Sequence, residues 1–450
     1  MIDLLIRNGS IVSGDGRREA DIAIRDGSIA AIGELSNLEA HEVIDASGLH
    51  VLPGAIDTQV HFREPGLTHK EDLESGTRAA IMSGTRAAIM GGVTTVFEMP
   101  NTDPPTTTRE ALEDKLSRAD GRTWCDHAFF VGASAENVGR LADLELQPGS
   151  PGIKIFMGSS TGSLLIPDDD TLREVLRNGR HRCAIHAEDE FRLRERKALV
   201  GEAPQPEDHP FLRDAETAAL ATRRLIELVA ETGRPLHILH ISTAEEVRLI
   251  AQAKERGLPI TAEVTPQHLW FAGPEDYRIQ GTHVQMNPPI RDDSHRRRLR
   301  DGLRAGVFDV FGSDHAPHTL EEKSRPYPAS PSGMPGVQTF VPALVTLAAD
   351  GLLDLETLVR MACERPTELY GIRAKGFLRE GYDADLTLLD PFRRRSITPE
   401  WLQSKCGWSP YEGLDLAGIP EYVILRGTVL VRNGKLAGSP IGRPVRFLWK

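Results

Sequence analysis

GAIDTQVHF, residues 54–62, begins apolar and closes on His61, a side chain able to bind a metal or carry a proton. Seven further stretches follow, nearly all on that plan: VTTVFEMPN (93–101), HAFFVGAS (127–134), GIKIFMGS (152–159), CAIHAED (183–189), LHILHIS (236–242), PITAEVTPQH (259–268) and DVFGSDHAP (309–317). Each reads as a short buried strand, and amphipathic helical patterns such as 214–231 and 243–256 lie between several of them. Eight alternating units close most naturally as an α/β fold of the (β/α)8, TIM-type barrel class. A doubly wound open sheet is the competing arrangement, but no glycine-rich dinucleotide fingerprint accompanies these strands. In a barrel the carboxyl ends of all strands face one mouth, where active sites sit. His61, Asn101, Lys154, His186, His240 and Asp314, far apart in sequence, would then converge on one place.

Both ends of the chain read differently. Residues 1–52 hold DLLIR, SIVSG, DIAIR and SIAAIG, separated by the hairpin-type pairs Asn8-Gly9, Asp15-Gly16 and Asp26-Gly27. The pattern returns beyond residue 380 in ADLTLLD and EYVILRGTVLVRNG. Residues 1–52 and 377–450 are therefore expected to pair into one small β-sandwich domain, with residues 53–376 forming the barrel between them.

Bulk properties narrow the function. At 450 residues, with 40% hydrophobic and 26% charged side chains, the chain is globular and too long for one ordinary domain. A net charge of −12 disfavours nucleic acid or a membrane surface as partner and leaves a small-molecule substrate open. The beginning, MIDLLIRNGSIVSGDG, lacks a basic segment followed by an apolar run, so a cytoplasmic location is expected. Cys125, Cys183, Cys363 and Cys406 lie far apart without a CxxC pair and read as reduced, buried thiols.

SGTRAAIM occurs twice in tandem, at 75–82 and 83–90. Eight extra helical residues would turn the downstream chain by ~80° and shift it by ~12 Å. The next strand must still enter the barrel. One copy is therefore expected to loop out near Gly84, or the helix to lengthen at an exposed end, as a duplication tolerated at the surface.

His and Asp suit Zn²⁺ and similar cations. Taken singly, each has a plainer explanation: a hydrogen-bonded core histidine, or an aspartate capping a turn. Lys154, between Ile153 and Ile155, faces the barrel interior if the isoleucines pack outward, and a lone buried ammonium needs an acid partner or chemical modification. His315 points away from Asp314 and reads as structural. His127, His237, His283 and His295 read as packing or solvent-facing, and the charged run 291–300 as a solvated helix face, with a basic partner-binding patch as second choice.

The runs QVHFREPG (59–66), MPNT (99–102), MNPP (286–289) and GSDHAPH (312–318) resemble dihydroorotase motifs, in the order of that family. The resemblance extends over essentially the whole chain, the split β domain included. It implies that His61 and Asp314 bind one metal, His186 and His240 a second, and that Lys154, carboxylated by CO₂, bridges them. The family's His-x-His opening is here Gln59-Val60-His61, and an amide oxygen is a weaker zinc ligand than imidazole. One tightly held Zn²⁺ and a weaker second is the expectation. Arg63, Asn101 and His318 are implied to hold a substrate carboxylate, with Asn287 and the backbone at Ser332-Gly333 meeting the amide edge of the ring. Asp314 would move the proton from water to the leaving nitrogen as L-dihydroorotate opens reversibly to N-carbamoyl-L-aspartate in pyrimidine biosynthesis. Two other functions compete: a hydantoinase, dihydropyrimidinase or allantoinase, disfavoured by Arg63, and a silent homologue assembling with a partner such as aspartate transcarbamoylase, suggested by Gln59 alone. The resemblance also implies a homodimer or homotetramer.

Overall fold

A computed structural model describes residues 1–73, 84–159 and 164–449. Its centre is a ring of eight parallel strands: Ala55–Val60, Val93–Glu98, Asp126–Phe129 continuing into Val131–Gly132, Ile153–Phe156, Cys183–His186, Leu236–Ile238, Ile260–Val264 and Val310–Phe311. Every one falls in or overlaps a stretch singled out above. The first and last strands meet through a parallel bridge between Val60 and His315, with the His61 N–H donating to the His315 carbonyl at 2.8 Å, which closes the barrel. The expected helices form at Ala215–Thr232 and Ala244–Glu255. Asp214 caps the first, Gly233 ends it in a left-handed conformation, and Thr243 with Glu246 builds a capping box on the second.

The chain ends meet in one nine-stranded network, the β-sandwich domain. Its seam is the antiparallel pairing of His50–Pro53 with Leu386–Leu389, and Ile6, Ile22, Ile24, Val51, Leu386 and Ile424 fill its core. Asp26-Gly27 is the hairpin turn read from the sequence, with φ of 52° and 76°. Asn8-Gly9 is not. Ile2–Ser13 runs through as a single strand, and Asn8, at φ 60°, makes a bulge at which the register slips. The bulge divides the strand between two partners, Ala40–Asp45 before it and His50–Val51 after it.

Two more expectations change. Arg291 is buried, not part of a solvated face: its guanidinium donates to the Arg213 carbonyl and approaches Ser242 Oγ. Only from Asp293 does the charged run become a helix, and there Arg296 and Arg300 reach back to the carbonyls of Trp270 and Leu269. Of the tandem octapeptide, residues 84–90 form a helix whose Gly84 packs so closely that a Cβ would lie 2.2 Å from the Phe62 ring. The first copy, 75–82, lies outside the described residues, and with it the choice between a looped-out copy and a longer helix. All four cysteines are buried and free, and among the described residues no helix is long and apolar enough to cross a membrane.

Candidate active site

At the carboxyl ends of the strands lies a small cavity lined by Gln59, His61, Arg63, Asn101, Lys154, Phe156, His186, His240, Asn287, Asp314, Ala316, Ser332 and Gly333. All the residues expected at the site are here except His318, which stands behind Arg63. Three of the lining residues hold a left-handed backbone: Arg63 at φ 66°, His240 at 37° and Asp314 at 45°. Such conformations are costly for residues with a Cβ and persist where the surrounding fold enforces them. The first strand ends at Val60, so Arg63 enters the cavity through this turn, not by strand alternation.

The histidines meet acceptors in two pairs. The Nδ1–H of His61 goes to Asn101 Oδ1 at 2.8 Å, which leaves a lone pair on Nε2 facing Asp314 Oδ1 at 3.3 Å. In the second pair, His186 gives its Nε2–H to Glu188 at 3.0 Å and turns the Nδ1 lone pair toward His240 Nε2, also at 3.0 Å. His240 Nδ1 is buried without a partner among the described residues, so either tautomer of His240 leaves a buried nitrogen unsatisfied by them. Burial holds His61 and His240 well below the usual imidazole range and lowers His186, so all three are neutral, the form that ligates metals. Lone pairs on His61 Nε2, His186 Nδ1 and one nitrogen of His240, all buried and neutral, together with a carboxylate form a donor set that a divalent cation satisfies. Gln59 behaves differently. Its amide donates to Asp314 Oδ1 at 3.0 Å, while its Oε1 is buried with no partner among the described residues.

Lys154 faces the interior as expected and is 1% exposed. Its nitrogen sits 4.3 Å above the Phe156 ring and forms no ion pair among the described residues. Burial brings its pKa down to about 7 despite the fields of Asp314 and Glu263. Burial likewise pushes Asp314 up to about 7, against the pull of His186, Lys154 and Arg63.

Arg63 is 1% exposed, and its Nε and Nη1 have no hydrogen-bond partner among the described residues. His318 Nε2 lies 3.4 Å from Nη2, but Lys70 donates to His318 Nδ1 at 3.1 Å, and the Nε2–H then donates to the Ser332 carbonyl at 3.1 Å. In that tautomer Nε2 cannot also accept from Arg63. The whole guanidinium is therefore uncommitted. Burial lowers its pKa to about 10, still high enough to keep the charge at neutral pH.

The amidohydrolase family model matches residues 50–430. The chain belongs to the amidohydrolase family. It is similar to the dihydroorotase of Methanosarcina mazei, 36% identical over 98% of this chain and 96% of that one. An allantoinase of Deinococcus radiodurans is 33% identical over 99% of both chains. The solved L-hydantoinase of Arthrobacter aurescens superposes with a TM-score of 0.91 at 31% identity, covering 99% of this chain and 100% of that one. Amidohydrolases are metal-dependent enzymes.

Asp126, Asp383 and Asp385 also lie close enough together to hold a cation. In this amidohydrolase that place is filled by Lys375, 2.6 Å from both Asp126 and Asp385, with Arg426 on Asp126, and the cluster ties the sandwich to the foot of the barrel. Sequence reasoning missed three contributors to the catalytic cavity. Glu188, two residues after His186, orients that ring and is paired with Arg213. Glu263, an acid in the middle of the seventh strand, carries the same signal that drew attention to Lys154. It is buried beside the His240 backbone, where a Cβ at Gly312 would collide with it at 2.2 Å. His209 donates from Nε2 to Asn287 Oδ1 and the Met286 carbonyl, both at 3.0 Å, and nothing in its HPFL context points to that task.

Proposed function

We propose that this amidohydrolase is a dihydroorotase, opening L-dihydroorotate reversibly to N-carbamoyl-L-aspartate. One observation carries the reading beyond cyclic amide hydrolysis in general: the buried, uncommitted guanidinium of Arg63 on the cavity wall. An unpaired buried charge is costly, and a planar fork of donors matches a carboxylate. Dihydroorotate has one on its ring, whereas dihydrouracil and hydantoin do not.

His186, His240 and Lys154, with His61 and Asp314, would hold Zn²⁺, and Gln59 Oε1 would be a weak additional ligand. A bound cation would polarise the ring carbonyl and make water acidic enough to attack near neutral pH. Lys154 is suited to carboxylation because burial leaves much of its amine unprotonated at neutral pH, the form that adds to CO₂. Addition of the neutral amine to CO₂ makes one N–C bond, opens one C=O π bond and releases one N–H proton, leaving an anionic carbamate able to bridge cations; the ammonium form gives up a further proton first.

The remaining work falls to the chain's own groups. Arg63 and Asn101 would orient the ring by its carboxylate. Asn287 has its Oδ1 occupied by His209, so its amide hydrogens are free to meet a ring carbonyl, alongside Ser332 and Gly333. Asp314, with a carboxyl poised near neutrality, would take the proton from the attacking water and return it to the leaving nitrogen. A panel of L-dihydroorotate, dihydrouracil, hydantoin and allantoin, assayed with zinc-loaded protein, tests the proposal. Preference for dihydroorotate is expected, and preference for a ring without a carboxylate would refute it.

A further inference from the structure

Lys323 is fully buried and forms no ion pair among the described residues, yet its three hydrogens are all used. Its Nζ donates to the carbonyls of Pro331 at 2.9 Å, Gly333 at 3.0 Å and Gln285 at 3.3 Å. An ammonium has three donors and no acceptor, so these contacts saturate it. The carbonyl between the first two, Ser332 O, is taken by His318 Nε2. Three consecutive carbonyls of the segment lining the cavity are thus held by buried donors. Gln285 adds a second tie: its side chain donates to Ser330 O and Ser332 Oγ, both at 3.0 Å, and its carbonyl accepts from the Gly333 N–H at 2.9 Å.

Two of these donors, His318 and Lys323, trace to one short turn. His318 and Glu322 share the Lys70 ammonium, and Glu322 completes the capping box with Thr319 on the four-residue helix that ends in Lys323. The backbone it holds has little freedom of its own. Gly333 has φ 136°, and a Cβ there would lie 2.4 Å from the Ala316 carbonyl. With its carbonyls occupied, Pro331 lacking an N–H and the Gly333 N–H given to Gln285, what the segment can offer an incoming ring is the Ser332 N–H and hydroxyl, donors that complement the carbonyl oxygen of a cyclic amide.

We propose that Lys323 is a positioning residue for substrate binding, fixing the Pro331–Gly333 backbone from behind. The inference rests on the assignment of Ser332 and Gly333 to ring binding made above.

The test is Lys323→Met, which keeps the stem and removes the donors, measured on metal-loaded, full-length protein. Two readouts separate positioning from general stability. Hydrogen–deuterium exchange without substrate should speed up roughly tenfold or more at residues 330–336 and stay unchanged in the other barrel strands. For whichever cyclic amide the wild type hydrolyses, KM should rise roughly tenfold or more while kcat stays within about threefold. Exchange needs no substrate, so it tests the positioning even if dihydroorotate proves the wrong ring. Unchanged exchange at 330–336, or faster exchange throughout with KM unaltered, would overturn the proposal. Should Lys323→Met fail to fold, Gln285→Met cuts the second tie to the same segment and carries the same expectations and the same refutation.

Discussion

Replacing Arg63 with methionine separates a recognition role from a structural one, because the two roles move stability in opposite directions. In the free protein the guanidinium is buried, with Nε and Nη1 unpaired and Nη2 facing a ring nitrogen that already carries hydrogen. Removing it relieves an uncompensated buried charge, so Arg63→Met should unfold at the same or a higher temperature, with a gain on the order of 1 kcal/mol. With dihydroorotate bound, the same substitution removes a bidentate, charge-assisted pair. Two such bonds at ~1.5–3 kcal/mol each amount to about 3–6 kcal/mol, or roughly 10²- to 10⁴-fold in kcat/KM. A ring without a carboxylate never makes that pair, and its kcat/KM should change less than about fivefold. The assays are steady-state hydrolysis of dihydroorotate and dihydrouracil, with a thermal melt of the same protein. A lower melting temperature together with equal losses on both rings would show that Arg63 supports the barrel rim and recognises nothing.

Other substitutions probe the remaining parts. Asp314→Asn should lower kcat by about 10³-fold or more while most metal stays bound, measured by turnover and metal analysis together; near-normal turnover would refute the proton-transfer role. Gln59→His places an imidazole beside Asp314 and should raise occupancy of the weaker metal, at His61 and Asp314, by about tenfold or more at limiting zinc, read by competition with a chelator. Removing metal altogether with a chelator should abolish hydrolysis, and adding zinc back should restore it. His127 is buried against Thr123, and burial holds its pKa at about 4. The unfolded chain protonates this ring below about pH 6.5 while the fold does not, so it lowers stability as pH falls through that window. From pH 6.5 to 5 the loss from this ring is about 1–2 kcal/mol, and His127→Gln should flatten the pH dependence of the urea midpoint accordingly.

The barrel was legible because nearly every strand combined an apolar run with a chemically capable end, and one topology brings such ends together. GIKIFMGS also disclosed which way Lys154 faces, since alternation around two buried isoleucines leaves the lysine one direction. Backbone conformation was harder to read. Asn-Gly serves a bulge as readily as a turn, and only the presence of two partners for Ile2–Ser13 decides between them. The left-handed turns at Arg63, His240 and Asp314 have no local sequence signal, since they are imposed by the rim around them. His318 was expected to hold a substrate carboxylate beside Arg63, but it stands behind that residue, a place that depends on Lys70, which no motif includes. His209 and Arg291 were illegible for a related reason: their partners are backbone carbonyls supplied by distant loops.

The most direct test of the whole account is to measure zinc per chain and L-dihydroorotate hydrolysis on one preparation of the wild-type protein. At least one zinc per chain, with turnover that rises and falls with the zinc content, is expected. Fully zinc-loaded protein that leaves dihydroorotate intact would contradict it.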